Sequence, residues 1–378
     1  MDRSALRHIY TTINDMSRPE KQTALLKKEP EYCKAVWARG EWEPTPPYYE
    51  LMRDLRNDLS CRGLVYSIHG ISAALHWTLM ETHPFPADPT QPIDAAESSV
   101  IRDIVNSYPV PRIEFKGISR DRHGLFLCGY PSCNINAMRD EIRAALPDIV
   151  EPHPQNMCYA TLFRFTETPS KEDYAELDSI VAFYEDMSML TFTPTLYEYG
   201  YGTWRQTDGE RKPVYQWTPL PRWILRHGLR YGPDADLEHK ESELWARIKE
   251  GWDIQIDVWC IAGVWWLGND APTYKLMDTR LLALNSVWIH CKNMDALVEC
   301  RNQNWSGAHY FTHHNDPATL TSSNWIWCYP GTMAGKRSVC VLPESQDLLL
   351  DMFGHVGAVC SEYLPKKFYT KPFGEKED

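Results

Sequence analysis

The sequence predicts an α+β fold in two parts, in which a domain of two similar lobes is followed by a smaller α/β domain. The fragments His76-Trp77-Thr78 and Tyr159-Ala160-Thr161 stand in matching apolar surroundings, which indicates a repeated strand. Three of the fifteen tryptophans precede Trp204, and twelve lie from there onward. This uneven distribution indicates two different hydrophobic cores, and a length of 378 residues agrees with two domains.

The predicted parts follow one another along the chain. We expect an N-terminal arm over residues 1–47, the two-lobed domain over 48–206, a linker over 207–222, the second domain over 223–365 and a tail over 366–378. The linker is placed by its polar turn formers and prolines. With its charged and proline-containing segments, the arm is expected to be a peripheral helical arm or an extended wrap.

Two segments of the first domain carry apolar residues at helical spacing. Their apolar faces are Ile135, Met138, Ile142 and Leu146 in one helix, and Tyr174, Leu177, Val181 and Tyr184 in the other. Ser170 and Asp173 predict a capping box at the start of the second helix. Strand-like segments precede both helices, so the order suits two lobes of strands and helices.

The second domain opens with a predicted helix over Glu241 to Glu250, which Gly251 ends. An alternating strand over Ile254 to Trp259 follows and presents Gln255 and Asp257 on one face. Gly263 then begins a turn into the next apolar strand. This succession is typical of an α/β domain.

The composition limits the classes of partner. A hydrophobic fraction of 43% is sufficient for globular cores, whereas a formal charge of −12 argues against non-specific binding to long duplex nucleic acid. No long apolar run and no signal-peptide pattern is present, so we expect a cytoplasmic protein without membrane attachment. The eleven cysteines show neither Cys-x-x-Cys pairs nor Cys/His ligand spacing. We therefore expect reduced thiols, no metal and no cofactor.

The repeated fragment carries the chemistry of the first domain. Side chains alternate along a strand, so His76 and Thr78 share one face, as do Tyr159 and Thr161. The pair resembles the two-histidine (2H) phosphoesterases, which carry two His-x-Thr/Ser motifs on two pseudo-symmetric lobes. The resemblance implies a two-lobed α+β fold in which one histidine is the general base and the other the general acid. Here Tyr159 stands where the second histidine belongs.

The resemblance implies a metal-independent phosphodiesterase that acts on a cyclic or 2′–5′ phosphodiester of a nucleotide or RNA. His76 is then the base, and Thr78 and Thr161 hold phosphate oxygens. A phenol has an ordinary pKa near ~10, so Tyr159 is a candidate proton donor or oxyanion donor rather than a base. We expect a small phosphodiester or an RNA end as partner, and the oligomeric state stays open.

Other polar residues near the motifs are assigned structural roles. His69 and His83 are expected to be surface or structural histidines. Arg164 alternates away from Tyr159 along the same strand, so it is also held to be structural.

The second domain is similar to the glycerophosphodiester phosphodiesterase-like (GDPD-like, phospholipase C-type) barrels. The segments that carry this resemblance are 232–233, 251–259, 267–270, 288–293, 319–322 and 326–331. It implies a reduced α/β barrel, since a full (β/α)₈ barrel typically takes about 250 residues. Those enzymes use an opening His-Arg-Gly, a Glu-x-Asp metal pair and a Gly-His-Asp.

This sequence departs from the barrel family at each of these motifs. The opening is Arg226-His227-Gly228, Gln255 replaces the metal-binding glutamate, and Asn269 replaces the catalytic histidine. A divalent cation is held by oxygen ligands that carry negative charge, and the neutral amide of Gln255 does not supply that charge. Metal-dependent hydrolysis is therefore not expected in this domain.

A set of polar and aromatic residues still suits ligand binding in the second domain. It comprises His227, Asp257, Asp270, His290, Lys292, His313, His314, Asp316 and Trp327. One alternative to the enzyme hypothesis is a catalytically inactive nucleotide- or phosphate-binding protein, built from two degenerate phosphodiesterase domains. A further alternative is residual metal-dependent glycerophosphodiesterase activity.

Overall fold

The computed structural model describes most of the chain. The described residues are 6–7, 10, 31–61, 66–68, 76–121, 124–149, 157–165, 169–204, 211–303, 305, 308–314, 316–329, 332, 335–346 and 356–365. Within these residues, the structure has no helix with the length and apolar character needed to cross a membrane. His69 and the predicted tail over 366–378 lie outside the described residues, as does the side chain of Arg164.

The chain forms two structural units, each with its own sheet. The first unit comprises residues 1–105 and 110–219, and the second comprises 106–109 and 220–378. The fold is thus a mixed α+β arrangement with two sheets.

The described residues of the first unit form eight strands and four helices, and residues 6–7 and 10 near the start of the chain are helical as well. The strands are β1 (Glu31–Pro44), β2 (Tyr66–Ile68), β3 (Trp77–Ala87), β4 (Ile113–Arg120), β5 (Gly124–Pro131), β6 (Tyr159–Phe165), β7 (Ser188–Trp204) and β8 (Arg211–Trp217). The helices are α1 (Pro46–Cys61), α2 (Ala95–Asn106), α3 (Ile135–Ala145) and α4 (Lys171–Phe183).

All strand pairs of the first sheet are antiparallel, in the order β2-β6-β5-β4-β7-β1-β3, and β8 also pairs with β7. Two assignments of the sequence analysis differ from this topology. Residues 31–44, expected within a peripheral arm over 1–47, form β1 between β7 and β3. Residues 211–217, expected within a linker over 207–222, form β8. Both segments therefore belong to the first sheet.

The helices of the first unit agree with the sequence pattern. Ile135, Met138 and Ile142 are buried on one face of α3. Helix α4 begins with the predicted capping box, in which Ser170 accepts from the Asp173 backbone N–H and the Asp173 side chain accepts from the Ser170 backbone N–H. The capping box and the buried face of α3 are confirmed, whereas Leu146 is the C-cap that follows α3. Of the predicted face of α4, Leu177 is buried within the helix.

The second unit contains ten described strands and two described α-helices. The strands are β9 (Arg222–Arg226), β10 (Asp253–Ile261), β11 (Val264–Leu267), β12 (Tyr274–Lys275), β13 (Val287–Cys291), β14 (His309–Phe311), β15 (Ala318–Leu320), β16 (Ile326–Cys328), β17 (Ser338–Val341) and β18 (Ala358–Ser361). The helices are α5 (Glu241–Glu250) and α6 (Met294–Asn302), with 3₁₀ turns at Thr279–Ala283 and Pro343–Gln346. Gly251 ends α5 with a left-handed backbone (φ 96°), as predicted.

Seven strands of the second sheet run parallel to their neighbours, in the order β14-β13-β10-β9-β18-β17-β16. The first strand in sequence, β9, thus lies between the second and the last. The backbone N–H of Ser322 also donates to the carbonyl of Tyr310 in β14 at 2.9 Å. The carboxyl ends of the parallel strands lie at one edge of the sheet, the usual place for functional residues in such sheets.

The burial of β10 differs from the expected alternation. Gln255 and Asp257 share one face, as predicted, and their side chains bond to each other. They are only 3% and 1% exposed, and Ile254, Ile256 and Val258 of the other face are fully buried as well. When a parallel strand is covered on both faces, the side chains that point to either face are buried. The polar residues of β10 therefore lie inside the second unit.

Candidate functional site

The two motif segments of the first unit show alternating exposure. His76 and Thr78 are partly exposed, whereas Trp77 and Leu79 are fully buried. Tyr159 is 39% exposed and Thr161 is partly exposed, whereas Cys158, Ala160 and Leu162 are at most 1% exposed. In each segment, the residues of the motif pattern thus occupy the more exposed face.

A single buried arginine links the two motif segments. Arg139 of α3 donates from Nε to the carbonyl oxygen of Leu79 at 2.7 Å and from Nη2 to that of Met157 at 2.8 Å. Leu79 follows Thr78 directly, and Met157 lies two residues before Tyr159. Although β3 and β6 stand far apart in the strand order, they are in contact. Arg139 therefore holds together the backbones that carry the two motifs.

The buried side of the second motif is held by further polar contacts. The hydroxyl of Tyr10 donates to the carbonyl oxygen of Cys158 at 2.5 Å and accepts from its backbone N–H at 3.2 Å. Burial raises the pKa of the Cys158 thiol to about 12, and the positive charge of Arg139 partly opposes this. The Tyr159 ring packs at 61° against Phe126 of β5, with 5.5 Å between the ring centroids, and Phe126 also packs against Tyr10. Tyr159 is thus held beside Phe126 and Tyr10.

The structure adds a polar row that sequence reasoning missed. Thr78 pairs with Trp37 of β1, Trp37 pairs with Glu198 of β7, and Glu198 pairs with Gln216 of β8. The fully buried Glu198 carboxylate accepts from Trp37 Nε1, from Arg39 Nε at 3.1 Å and from Gln216 Nε2 at 2.7 Å. Trp37 and Gln216 had been assigned to the arm and the linker, so no motif pointed to them.

Arg39 brings a partly exposed positive charge to this row. Its side chain is 46% exposed, and Glu198 orients it through Nε. Ala38 pairs with Trp77, so Arg39 lies beside the end of β3 at which His76 is found. A guanidinium held in this way is suited to bind phosphate oxygens.

His83 lies farther along β3 and has a local partner. Its Nδ1 lies 3.2 Å from the hydroxyl of Thr82, which is also 3.1 Å from the hydroxyl of Tyr199. Burial and the nearby charge of Lys34 lower the pKa of His83. These contacts agree with a structural role.

In the second unit, the polar residues gather around Asp257 of β10. His227 Nε2 donates to Asp257 Oδ2 at 2.8 Å. His290 Nδ1 and Gln255 Nε2 donate to Oδ1 at 2.7 and 3.0 Å. Burial by itself would raise the pKa of Asp257, but the hydrogen bonds from His227 and His290 outweigh it and hold the pKa well below its usual range. Asp257 is thus an ionised buried carboxylate with three side-chain donors.

Glu238 and His239, which sequence reasoning did not select, complete this cluster. Glu238 Oε1 lies 2.5 Å from His227 Nδ1, and the His239 ring lies 4.1 Å from the His227 ring. Burial and the charge of His227 lower the pKa of His239 to about 3. The signal that could have found them is their place in the loop between β9 and α5, at the carboxyl end of a parallel strand.

The remaining residues of the predicted second set are placed as follows. Lys292 Nζ donates to Asn269 Oδ1 at 3.4 Å. Burial and the charges of His290 and Lys292 lower the pKa of His313 to about 4, and His314 and Asp316, both exposed, act on it electrostatically. Asp270 is exposed after the end of β11.

Trp327 differs from the expected role. The sequence places it in the set that suits ligand binding, but it is 3% exposed and packs against Phe311, with 4.5 Å between the ring centroids. Its ring is therefore part of the core.

The comparisons with known proteins give distant structural similarity only. No protein-family model matches the sequence, and no curated protein matches it. TT0787 of Thermus thermophilus is 10% identical with a TM-score of 0.32, covering 49% of this chain and 97% of that chain. E. coli LigT in complex with NADP+ is 11% identical with a TM-score of 0.30, covering 50% and 99%. Kluyveromyces marxianus Usb1 is 9% identical with a TM-score of 0.26, covering 49% and 99%.

TM-scores of this size carry no argument about the fold or the activity of this chain.

Proposed function

We propose that the first unit is a metal-independent phosphodiesterase of the two-histidine type. Its substrate class is a 2′,3′-cyclic or 2′–5′-linked phosphodiester of a nucleotide or an RNA end. The observation that carries the proposal is the double contact of Arg139, which ties the backbone beside His76-x-Thr78 to the backbone beside Tyr159-x-Thr161. Two matching motifs with partly exposed side chains then serve one phosphate.

Each residue has a role in this proposal. His76 takes the proton of the attacking water, whose oxygen forms the new bond to phosphorus. Tyr159 donates its phenolic proton to the leaving oxygen as the old P–O bond breaks, because a phenol is protonated near neutral pH. Thr78 and Thr161 bind the non-bridging oxygens, and proton exchange with solvent restores both side chains.

Arg39 extends the proposal beyond the two motifs. The chain has a net formal charge of −12, so a phosphodiester needs a local positive charge to enter the site. Arg39 supplies it beside β3, and the buried Glu198 holds its guanidinium in place. We assign it the role of binding the phosphate during the reaction.

For the second unit, we propose a reduced α/β barrel that has lost the metal-dependent chemistry of GDPD-like enzymes. The position of β9 between β10 and β18 supports a closing sheet. Gln255 donates its amide N–H to Asp257 Oδ1, where the glutamate of those enzymes would offer an oxygen ligand. We assign this unit a supporting or partner-binding role.

A second candidate function is a catalytically inactive protein that binds nucleotides or phosphate groups. The observation that favours it is Tyr159, which replaces the second proton-carrying histidine. This candidate predicts saturable nucleotide binding without turnover.

The test is hydrolysis of a panel of 2′,3′-cyclic mononucleotides and 2′–5′-linked dinucleotides by the full-length protein, with and without EDTA. We expect turnover that EDTA does not abolish. His76→Ala should lower it by about 10²–10⁴-fold, as loss of a general base does. His83→Ala is the matched control, because it removes another histidine of the same strand, and its activity should stay near that of the parent.

Activity that survives His76→Ala would overturn the catalytic assignment. Binding of the same nucleotides by calorimetry without any turnover would favour the second candidate. Tyr159→His then tests whether the site lacks only its second histidine. A gain of turnover in this variant requires the other catalytic groups to be in position.

A further inference from the structure

A second cluster with the chemistry of a metal site lies inside the second unit. His227, His239 and Asp257 each offer one ligand atom, and these atoms lie within 4.8 Å of one another. All three residues are at most 2% exposed. His227 Nε2 is 2.8 Å from Asp257 Oδ2, and His239 Nε2 is 3.7 Å from the same oxygen. Among the described residues, these are the metal-ligating side chains that lie close enough together to hold one ion.

His239 is a buried member of the cluster whose ring nitrogens lack hydrogen bonds to other described residues. Neither ring nitrogen of His239 has a hydrogen-bond partner within the part of the chain that the structure describes, although its side chain is only 3% exposed. The carboxylate oxygens of Asp257 and Glu238 are 3.7 Å away from Nε2, which is beyond hydrogen-bond distance. Buried polar side chains nearly always have a partner. An imidazole aimed at a carboxylate without bonding to it therefore points to a ligand between them.

The residues around the cluster are arranged as supports for metal ligands. Glu238 pairs with His227 Nδ1, so that Nε2 faces Asp257 and His239. Gln255 and His290 both donate to Asp257 Oδ1, which leaves Oδ2 toward the two histidines. Such carboxylate-to-histidine contacts and donors to ligating carboxylates are the usual outer contacts of a metal centre.

We propose that His227 Nε2, His239 Nε2 and Asp257 Oδ2 bind one divalent ion of the zinc class. Two imidazoles and one carboxylate suit such an ion, whereas Mg²⁺ and Ca²⁺ prefer oxygen ligands throughout. Ligand atoms at ~2.0–2.1 Å from a tetrahedral centre lie about 3.3 Å apart. The two histidine nitrogens lie 2.8 and 3.7 Å from Asp257 Oδ2, on either side of this value, and the ligand atoms of the set all lie within 4.8 Å of one another. Side-chain shifts of about 1 Å would bring the three atoms to one ion.

The site joins three parts of the second unit. His227 follows β9 directly, His239 belongs to the loop that precedes α5, and Asp257 lies in β10. The three side chains leave the fourth position of a tetrahedral ion to a water molecule. The burial of all three residues keeps a substrate away from that position, so we assign the ion a structural role. The ion therefore fastens this loop to the parallel sheet. This role is independent of the phosphodiesterase proposed for the first unit, and it departs from the metal-free protein that the sequence predicts.

The test is Zn²⁺ binding by the full-length protein after dialysis against a chelator. Calorimetric titration should give one Zn²⁺ per chain and raise the unfolding temperature. Co²⁺ should bind with the visible absorption of a four-coordinate site. His239→Gln should lower Zn²⁺ affinity by at least about 10–100-fold, the loss found when even an outer support is removed. Asp236→Asn is the control, since it removes an exposed carboxylate from the same loop as His239.

Binding of less than one Zn²⁺ per chain, or unchanged affinity in a folded His239→Gln variant, overturns the proposal. Circular dichroism establishes whether each variant is folded. If His239→Gln does not fold, the test rests on the parent protein, through its Zn²⁺ stoichiometry and its Co²⁺ spectrum. A six-coordinate Co²⁺ spectrum also overturns the proposal. Phosphodiesterase activity plays no part in these measurements, so this proposal and the function of the first unit fail separately.

Discussion

The two candidate sites differ in where their polar groups find partners. In the first unit, His76, Thr78 and Tyr159 are partly exposed, and the buried Arg139 supports them from behind. In the second unit, Asp257 and its partners are buried and bond mainly to one another. Exposed groups held from behind are available to a substrate, whereas groups that satisfy each other stabilise the fold or hold an ion. Substitutions should therefore affect activity in the first site and stability in the second.

The largest expected effect is in the second unit. Asp257→Ala removes the carboxylate that neutralises His227 and accepts from His290, and it leaves buried donors without a partner. We expect the free energy of unfolding to fall by about 3–5 kcal/mol, as when one member of a buried ion pair is removed. Urea unfolding followed by tryptophan fluorescence measures it. Asp270→Ala, which removes an exposed carboxylate, should change it by less than about 0.5 kcal/mol. Equal effects of the two variants would break the comparison.

The next effect tests the support behind the first site. Arg139→Leu leaves the carbonyl oxygens of Leu79 and Met157 without their donor, so we expect a loss of about 3 kcal/mol in unfolding free energy and a loss of phosphodiesterase activity. Arg143→Leu is the control on the same helix, because its ion pair with the 71%-exposed Asp140 contributes only about 0–1 kcal/mol. Full activity in a folded Arg139→Leu variant would show that the two motifs do not depend on this link.

These supports also mark the limit of prediction from sequence. The alternation around Thr78 and Tyr159 is local, so it was visible, and so was the capping box of Ser170 and Asp173. Arg139 acts on two backbone carbonyls from distant segments, and no local pattern encodes such contacts. The same holds for His239, whose neighbours come from β9 and β10.

The missed strands have a related physical reason. In β1, Ala35, Val36, Trp37 and Ala38 are all buried, so the alternation that identifies a half-exposed strand is absent. In β8, charged residues and Pro213 resemble a linker, although the segment pairs with β7. Burial on both faces likewise concealed the environment of Asp257. Strand identity in these places is set by tertiary neighbours rather than by pattern.

Thr78 gives a sharper test of the exposed site. Thr78→Val keeps the shape of the side chain but removes a donor to the phosphate, so we expect a fall of about 10²-fold in kcat with unchanged stability. Thr82→Val on the same strand should lower the stability and leave kcat unchanged. The Thr82 hydroxyl is buried and lies beside that of Tyr199, so its loss costs about 1 kcal/mol of stability without loss of activity. Activity assays and urea unfolding of both variants should therefore give opposite results.

The smallest effect concerns pH and the second unit. His309 Nε2 donates to the Asn285 carbonyl at 3.0 Å, and burial together with the charge of Arg222 lowers the pKa of His309 to about 4. In the unfolded chain a histidine has a pKa near ~6.5, so between these values the unfolded state binds more protons. The stability contributed by neutral His309 is thus fully present above about pH 6.5 and is lost as the pH falls toward 4. In this range the free energy of unfolding falls by no more than about 1.4 kcal/mol per pH unit.

His309→Gln should reduce this dependence, and the exposed His314→Gln should leave it unchanged. Urea unfolding of the three proteins at pH 7 and pH 5.5 isolates the contribution of His309, since the other titrating groups are common to all. A parent protein that is equally stable at both pH values would mean that charging His309 has no cost. The acid sensitivity of the second unit should come from His309 together with His239 and His313, because burial lowers the pKa of all three.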